Sequence, residues 1–364
     1  MHYSVLAAVG KSVLRDPNRP VRRPNGQRFP LRFVFEWGLM GGLGDSMSMT
    51  SIRFAERFAD LERNIAQVIR GKPDAIKLAL VCVFSEGHLL IQDVPGVAKT
   101  SLAKAIAKSI HGGDFRRIQF TPDLLPSDVT GVEVYDPGLR SFDFRPGPVF
   151  CNVLLGDEIN RASPRTQSAL LQVMAEGEVT VGLTTRRVGK PFLCIATQNP
   201  ADHQGTYPLP EAQMDRFHMR ISIGYPDHGD EMTIIEQAVG GIRVADMRPV
   251  VGIAEVAAMT EFTRSVEVGG ALRDYLVRLA AATRADPAVR LGVSPRGAIA
   301  LARAAQVVAA AHGREYATVD DAKAVAVPVL LHRLMLKPEA LMQDVDAEKL
   351  LLEILATVRP LQAR

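Results

Sequence analysis

The sequence predicts an α/β fold built on a parallel sheet, followed by an all-helical domain. Three observations carry this. Residues 88–107, HLLIQDVPGVAKTSLAKAIA, pass from a short apolar run (Leu89, Leu90, Ile91) through Asp93-Val94-Pro95-Gly96 and Lys99-Thr100 into apolar residues at helical spacing, Leu102, Ala103, Ile106 and Ala107. Strand-like runs alternate with helical ones as far as residue 226, which is the pattern of a parallel sheet. From about residue 227 only helical periods remain.

At 364 residues the chain has room for about two domains and a sizeable core. Apolar residues are 47% and charged residues 23%, which fits a soluble globular protein. No apolar stretch approaches the roughly 20 residues of a membrane span. Cys82, Cys151 and Cys194 sit in apolar runs without metal-ligand spacing, so they read as buried thiols of a reducing compartment. The net charge of +3 is uneven. Residues 1–49 carry seven Lys/Arg against three Asp/Glu, which leaves the rest of the chain at −1 and gives nucleic acid no broad basic field to follow.

Residues 1–49 are rich in Arg, Pro and Gly, contain Trp37, and show no sustained period. They lack the apolar core of a signal peptide, and their prolines spoil the amphipathic helix of a transit peptide. They read as a disordered tail or, preferably, as an upstream extension of a reading frame that starts at Met47 or Met49. Helical spacing begins at Ser51, with Phe54, Phe58, Leu61, Ile65 and Val68-Ile69 on one face. A second helix covers 74–85, after the turn Arg70-Gly71-Lys72-Pro73.

Strand, tight loop, lysine, hydroxyl and helix is the build of a P-loop. Backbone N–H groups at the helix start wrap phosphates, the lysine neutralises them, and the threonine hydroxyl reaches Mg²⁺. Against the pattern GxxxxGK[ST], Asp93 stands at the first glycine and Ala98 at the second. The Ala98 methyl narrows the backbone angles where the chain must approach phosphate closely. Taken alone, the segment also fits an ordinary strand-turn-helix connection.

Residues 116–120 read as a strand, and 132–135 with 142–144 as a hairpin around Asp136-Pro137-Gly138. The apolar run Val153-Leu154-Leu155-Gly156 then ends on Asp157-Glu158. Buried strands rarely finish on paired carboxylates unless these have something to bind. Next to a P-loop, one acid suits Mg²⁺ and the other an attacking water; the alternative is a cap on the helix that follows. That helix spans 164–176, and a second alternating segment covers 179–189. The strand 192–197 ends at Gln198-Asn199-Pro200, where an amide could hold the lytic water or simply start a turn. A last strand covers 219–223, and helices are expected at 231–239, 253–264, 272–284, 295–311, 319–336 and 348–358.

Together the P-loop unit, Leu154-Leu155-Gly156-Asp157-Glu158-Ile159-Asn160-Arg161-Ala162, Gln167-Ser168-Ala169-Leu170-Leu171, Ala196-Thr197-Gln198-Asn199-Pro200 and Leu209-Pro210-Glu211-Ala212-Gln213-Met214-Asp215-Arg216-Phe217 closely resemble the MoxR family of AAA+ ATPases. Ser294-Pro295-Arg296 and Val329-Leu330-Leu331-His332-Arg333 are similar to that family's helical lid. The resemblance spans about residues 51–358. It implies an AAA+ P-loop core over 50–226 and a lid over 227–364. Residues 126–147 look like the insert in the second helix that marks this clade, a hairpin that can line a ring's pore.

The resemblance also implies roles. The loop Asp93-Val94-Pro95-Gly96-Val97-Ala98-Lys99-Thr100-Ser101 would hold ATP, with Lys99 on the β- and γ-phosphates. Thr100 and Asp157 would hold Mg²⁺, Glu158 would be the catalytic base and Asn199 the first sensor. Arg216 looks like an arginine finger acting on the neighbouring subunit's ATP, although it could pair with Asp215 or Glu211 instead. Arg296 looks like the second sensor of its own site, although it could be a solvated first-turn residue. Ile69 and Gly71 fall in the segment that lines the adenine pocket. The implied protein is a cytoplasmic homo-oligomeric ring, a hexamer. Such rings are thought to mature or assemble protein complexes or insert metal cofactors, with a von Willebrand factor A domain partner. A metal-chelatase-like or nucleic-acid motor subunit shares the architecture, and a non-hydrolysing nucleotide switch is the third reading. A nucleic-acid motor needs a basic pore stripe, for which the hairpin offers only Arg140 and Arg145.

Overall fold

Five short runs build one parallel sheet: β1 (Leu89–Gln92), β2 (Phe115–Gln119), β3 (Val153–Asp157), β4 (Leu193–Gln198) and β5 (Met219–Ile221), in the order β5-β1-β4-β3-β2. In this computed structural model residues 49–138, 140–199, 206–240 and 243–360 are described, without the side chains of residues 237 and 238. The expected tail up to residue 48 and Pro200 lie outside the described residues. Leu89 pairs with both Met219 and Ile195, Val153 with both Leu193 and Phe115. All five strands point the same way, so Gln92, Gln119, Asp157 and Gln198 end along one edge, where the connecting loops gather.

Both faces of the sheet are covered, which is why its strands read as unbroken apolar runs. Leu89, Ile91, Leu155 and Ile195 face α1 (Ser51–Ala66), α2 (Pro73–Phe84) and α3 (Lys99–Lys108). Leu90, Leu154, Cys194 and Ala196 face α4 (Pro164–Glu176) through Leu170, Leu171 and Met174. Each of the Leu, Ile and Met side chains contributes about 1.5–3 kcal/mol by leaving water. Thr50 caps α1 by accepting from the Arg53 amide, and Ser163 caps α4 by accepting from the Thr166 amide. All three cysteines are buried and free.

Two antiparallel hairpins stand outside the sheet. Gly131–Asp136 pairs with Ser141–Pro146, as the sequence predicts, and Glu178–Val181 pairs with Thr184–Arg187. They touch: the Arg186 guanidinium lies 3.9 Å from the centre of the Phe144 ring and 3.5 Å from the Glu133 carboxylate.

After β5 the chain is mainly helical: α5 (His228–Gly240), α6 (Ile253–Ser265), α7 (Gly270–Ala285), α8 (Pro295–Ala311) and α9 (Ala347–Thr357). Two expectations are corrected here. The helix expected over 319–336 breaks into Val319–Ala324 and Ala326–Leu330, because Val325 leaves helical geometry (φ −116°, ψ 7°) and Pro328 has no N–H to continue the ladder. Strands also do not stop at residue 226. Val251–Gly252 pairs with Ile110–His111, Glu267–Val268 with Tyr316–Ala317, and Val289–Leu291 with Met335–Leu336. These linkers between helices are too short to show an alternating period. Tyr275, Leu301 and Val329 of this part share one apolar core with Leu89 and Ile91, and the described residues from Met49 onward form one compact unit. No helix among the described residues is long and apolar enough to cross a membrane.

Candidate active site

The loop leaving β1 reverses its backbone twice, at Gly96 (φ +90°) and at Ala98 (φ +59°), before α3 starts at Lys99. Left-handed geometry costs an L-residue about 1–2 kcal/mol, so Ala98 occupies a position that suits glycine. A side-chain carbon at Gly96 would meet nothing within 4 Å, so there is open space beside the loop at this residue. The Lys99 ammonium closes the loop by donating to the Asp93 carbonyl at 2.8 Å.

The Asp93 carboxylate serves a different purpose. Its Oδ1 accepts from the Val94 amide at 2.9 Å; its Oδ2 accepts from the Ile223 and Gly224 amides at 2.7 Å each and from the Ser222 hydroxyl at 3.0 Å. Burial alone would raise its pKa, but these donors together hold it below the usual carboxylate range. Asp93 thereby ties the P-loop to the chain leaving β5.

At the end of β3, Glu158 is also left-handed (φ +57°), which turns its side chain away from the strand direction. β4 runs beside β3 with Gly156 opposite Ala196, so Thr197 falls next to Asp157. The Thr197 hydroxyl donates to Asp157 Oδ1 at 2.6 Å and accepts from the Glu158 amide at 2.9 Å. On the other side, β2 places Gln119 opposite Asp157, and Arg117 and Gln119, two apart, share one face. Arg117 donates to Asp157 Oδ2 at 2.7 Å; Gln119 and Arg161 donate to Glu158 Oε2 at 3.0 and 2.9 Å.

These elements enclose a cavity of about 350 Å³ lined by Pro95, Gly96, Ala98, Lys99, Thr100, Arg117, Asp157, Glu158 and Asn199. Eight of these are residues the sequence singled out. Asp93, Val94, Val97 and Ser101 belong to the same loop but do not line the cavity, and Val97 is buried. The sequence alone assigns no role to Arg117, Gln119 or Thr197. The strand reading of 116–120 placed the first two on one face, but nothing in the spacing showed which neighbour they would meet.

The remaining candidates sit outside the cavity. Ile69 is buried, and Gly71 (φ +66°) lies against the Asp230 carboxylate so closely that a side-chain carbon would overlap it. Lys72 adds a bond to the Tyr225 carbonyl at 2.8 Å, so this turn rests on the start of the second part. Arg216 is half-buried and donates to the Leu171 carbonyl of α4 at 2.7 Å. The acids that could have paired with it are engaged elsewhere, Asp215 with Arg333 and Glu211 with Arg290. Arg296 is exposed in the first turn of α8.

Fold and site together define a class, the AAA+ P-loop ATPases. The model of the ATPase family associated with various cellular activities (AAA) matches residues 88–219, and that of the AAA lid domain matches 281–354. Bacillus subtilis has a relative, the uncharacterised protein YeaC, that is 45% identical over 81% of this chain and 92% of its own. The chaperone MoxR1 of Mycobacterium tuberculosis is 41% identical over 82% of this chain and 81% of its own. A crystal structure from Cytophaga hutchinsonii, of a protein proposed to be an ATPase, superposes with a TM-score of 0.80 at 35% identity, covering 86% of this chain and 97% of that one. The chain belongs to the MoxR family of AAA+ ATPases.

Proposed function

We propose that the protein binds ATP with Mg²⁺ in the P-loop cavity and hydrolyses it as a hexameric ring in the cytoplasm. The work of the ring is chaperone-like maturation or assembly of a protein complex, or insertion of a metal cofactor, with a von Willebrand factor A domain protein as partner. The carrying observation is the convergence of Lys99, Thr100, Asp157, Glu158 and Asn199 on one cavity, with open space beside the loop at Gly96. The MoxR1 relative, named a chaperone, supports the biological side of the reading.

The residues present fit the ligands. A hydroxyl and a carboxylate on one cavity wall are the oxygen donors a hard cation takes, so Thr100 and Asp157 would hold Mg²⁺, which supplies charge neutralisation on the phosphate oxygens. Lys99, which rests on a loop carbonyl, is free to turn to the β- and γ-phosphates. Glu158 takes the proton of the water that attacks the γ-phosphorus, and ADP and phosphate leave; Asn199 orients that water. Gln119 and Arg161 both donate to Glu158 Oε2, so Oε1 can take that proton with both bonds kept. Arg216 acts on the site of the next subunit, and Arg296 acts as second sensor once the lid closes on the core.

A finger that completes a neighbour's site makes turnover depend on assembly. ATPase rate per subunit should therefore rise with protein concentration, and Arg216→Ala should lower the plateau by about 10²-fold or more while nucleotide still binds. A rate per subunit independent of concentration, with Arg216→Ala unaffected, contradicts the reading.

A further inference from the structure

Three residues around Arg216, namely Asp215, Phe217 and His218, are gripped from the helical part of the chain. Arg333 is 3% exposed and directs its whole guanidinium at them. Its Nε donates to Asp215 Oδ1 at 2.7 Å, its Nη2 to the Phe217 and Asp215 carbonyls at 2.6 and 3.3 Å, and its Nη1 to the His218 carbonyl at 3.1 Å and to the Val329 carbonyl. The neighbouring His332 ring nitrogen lies 3.1 Å from the same Phe217 carbonyl. Ser294, the cap of α8, donates its hydroxyl to Asp215 Oδ2 at 3.1 Å. One turn earlier, Arg290 pairs with Glu211. The close approach requires Gly297: a side-chain carbon there would come within 2.9 Å of the Arg333 side chain.

We propose that Arg333 is a positioning residue for Arg216, so that the lid of each subunit sets the aim of the arginine that the subunit offers to its neighbour. This rests on the reading of Arg216 as a finger acting between subunits. A buried arginine contributes little to stability that an apolar side chain would not. What the planar fork adds is direction, since bonds to the Asp215 carboxylate and to the Asp215, Phe217 and His218 carbonyls hold that backbone in one orientation. Asp215 and Phe217 flank Arg216 directly, so a shift of Arg333 with the lid moves the finger's base from both sides. Lid movement in one subunit is thereby passed to the active site of the next.

The test is subunit mixing. Arg333→Lys keeps the charge and loses the fork, and it should lower turnover about 10- to 100-fold, as a displaced catalytic group does. Its affinity for a fluorescent ATP analogue should stay within about threefold of wild type. Mixed as dissociated subunits with Glu158→Gln and then concentrated, it should regain turnover well above the summed rates of the two variants. In the mixed ring its intact site receives a well-aimed finger from the Glu158→Gln subunit. Arg216→Ala mixed with Glu158→Gln is the reference and should recover in the same way. Recovery in the reference without recovery for Arg333→Lys shows that Arg333 acts within its own site and overturns the proposal, as does unchanged turnover in Arg333→Lys alone. Failure of the reference pair overturns the between-subunit reading of Arg216 itself. Should Arg333→Lys fail to fold, Asp215→Asn with Ser294→Ala loosens the same clamp while leaving the carbonyl bonds, and is mixed in the same way.

Discussion

Two strands that flank β4, β1 and β3, end on acids with opposite fates. Asp93, after β1, is held by four donors, three of them backbone amides, two of which cannot leave without unfolding the chain after β5. Asp157 and Glu158, at the end of β3, are held instead by the side chains of Arg117, Thr197, Gln119 and Arg161, together with one backbone bond from Glu158 to Thr197. A side-chain partner can rotate away when a cation, phosphate or water competes for the carboxylate. The same residue type on the same sheet edge is thus committed to the fold in one place and open to exchange in the other. What separates them is the kind of donor, fixed main chain against mobile side chain.

The comparison can be broken most forcefully by exchanging charge for amide at each acid. Glu158→Gln should reduce turnover about 10²- to 10⁴-fold and leave the melting temperature nearly unchanged. Asp93→Asn should do the reverse, costing about 2–3 kcal/mol as the Ser222 hydroxyl and the Ile223 and Gly224 amides exchange a charged carboxylate for a neutral amide with one acceptor oxygen. Its pH dependence follows from the depressed pKa in the folded state. The stabilisation by the charged form is fully present above the unfolded value of about 4 and is lost as pH falls through the folded one. The gap between wild type and Asp93→Asn in acid-unfolding curves should therefore narrow below about pH 4; a gap constant down to pH 2 would mean the charge is irrelevant.

Smaller effects sharpen the picture. Thr197→Ala removes the hydroxyl shared by the two exchangeable acids and should lower turnover about tenfold for about 1 kcal/mol of stability; equal rates in a steady-state assay would remove Thr197 from the site. The least effect is expected from Ala98→Gly. Relief of about 1–2 kcal/mol of left-handed strain is offset by about 0.5–1 kcal/mol of glycine entropy. Stability should change by less than about 1 kcal/mol and KM by several-fold at most. A rise from no turnover to full turnover would show that the alanine disables the loop.

Much of this was legible in the chain. The alternation of strand and helix, the loop before Lys99 and the Asp157-Glu158 pair at a strand end could be read because each is local and has its own period or composition. Asp93 could be seen only as a departure from glycine; its role depends on β1 and β5 lying side by side, 130 residues apart in the chain. Arg117 and Gln119 looked like ordinary exposed strand residues until the register set them against Asp157. Arg333 stood in a recognised block, yet its partners lie 115–118 residues upstream, and no local pattern encodes them. The break in the helix over 319–336 is legible at Pro328, but the apolar period runs on through it.

The most direct measurement is turnover per folded molecule of Asp93→Asn beside Glu158→Gln, at neutral pH and well below the melting point of either. Turnover in Asp93→Asn should lie within about threefold of wild type while Glu158→Gln has lost at least about 100-fold with ATP still bound. A folded Asp93→Asn as inactive as Glu158→Gln would contradict the division between an acid that holds the fold and one that does the chemistry.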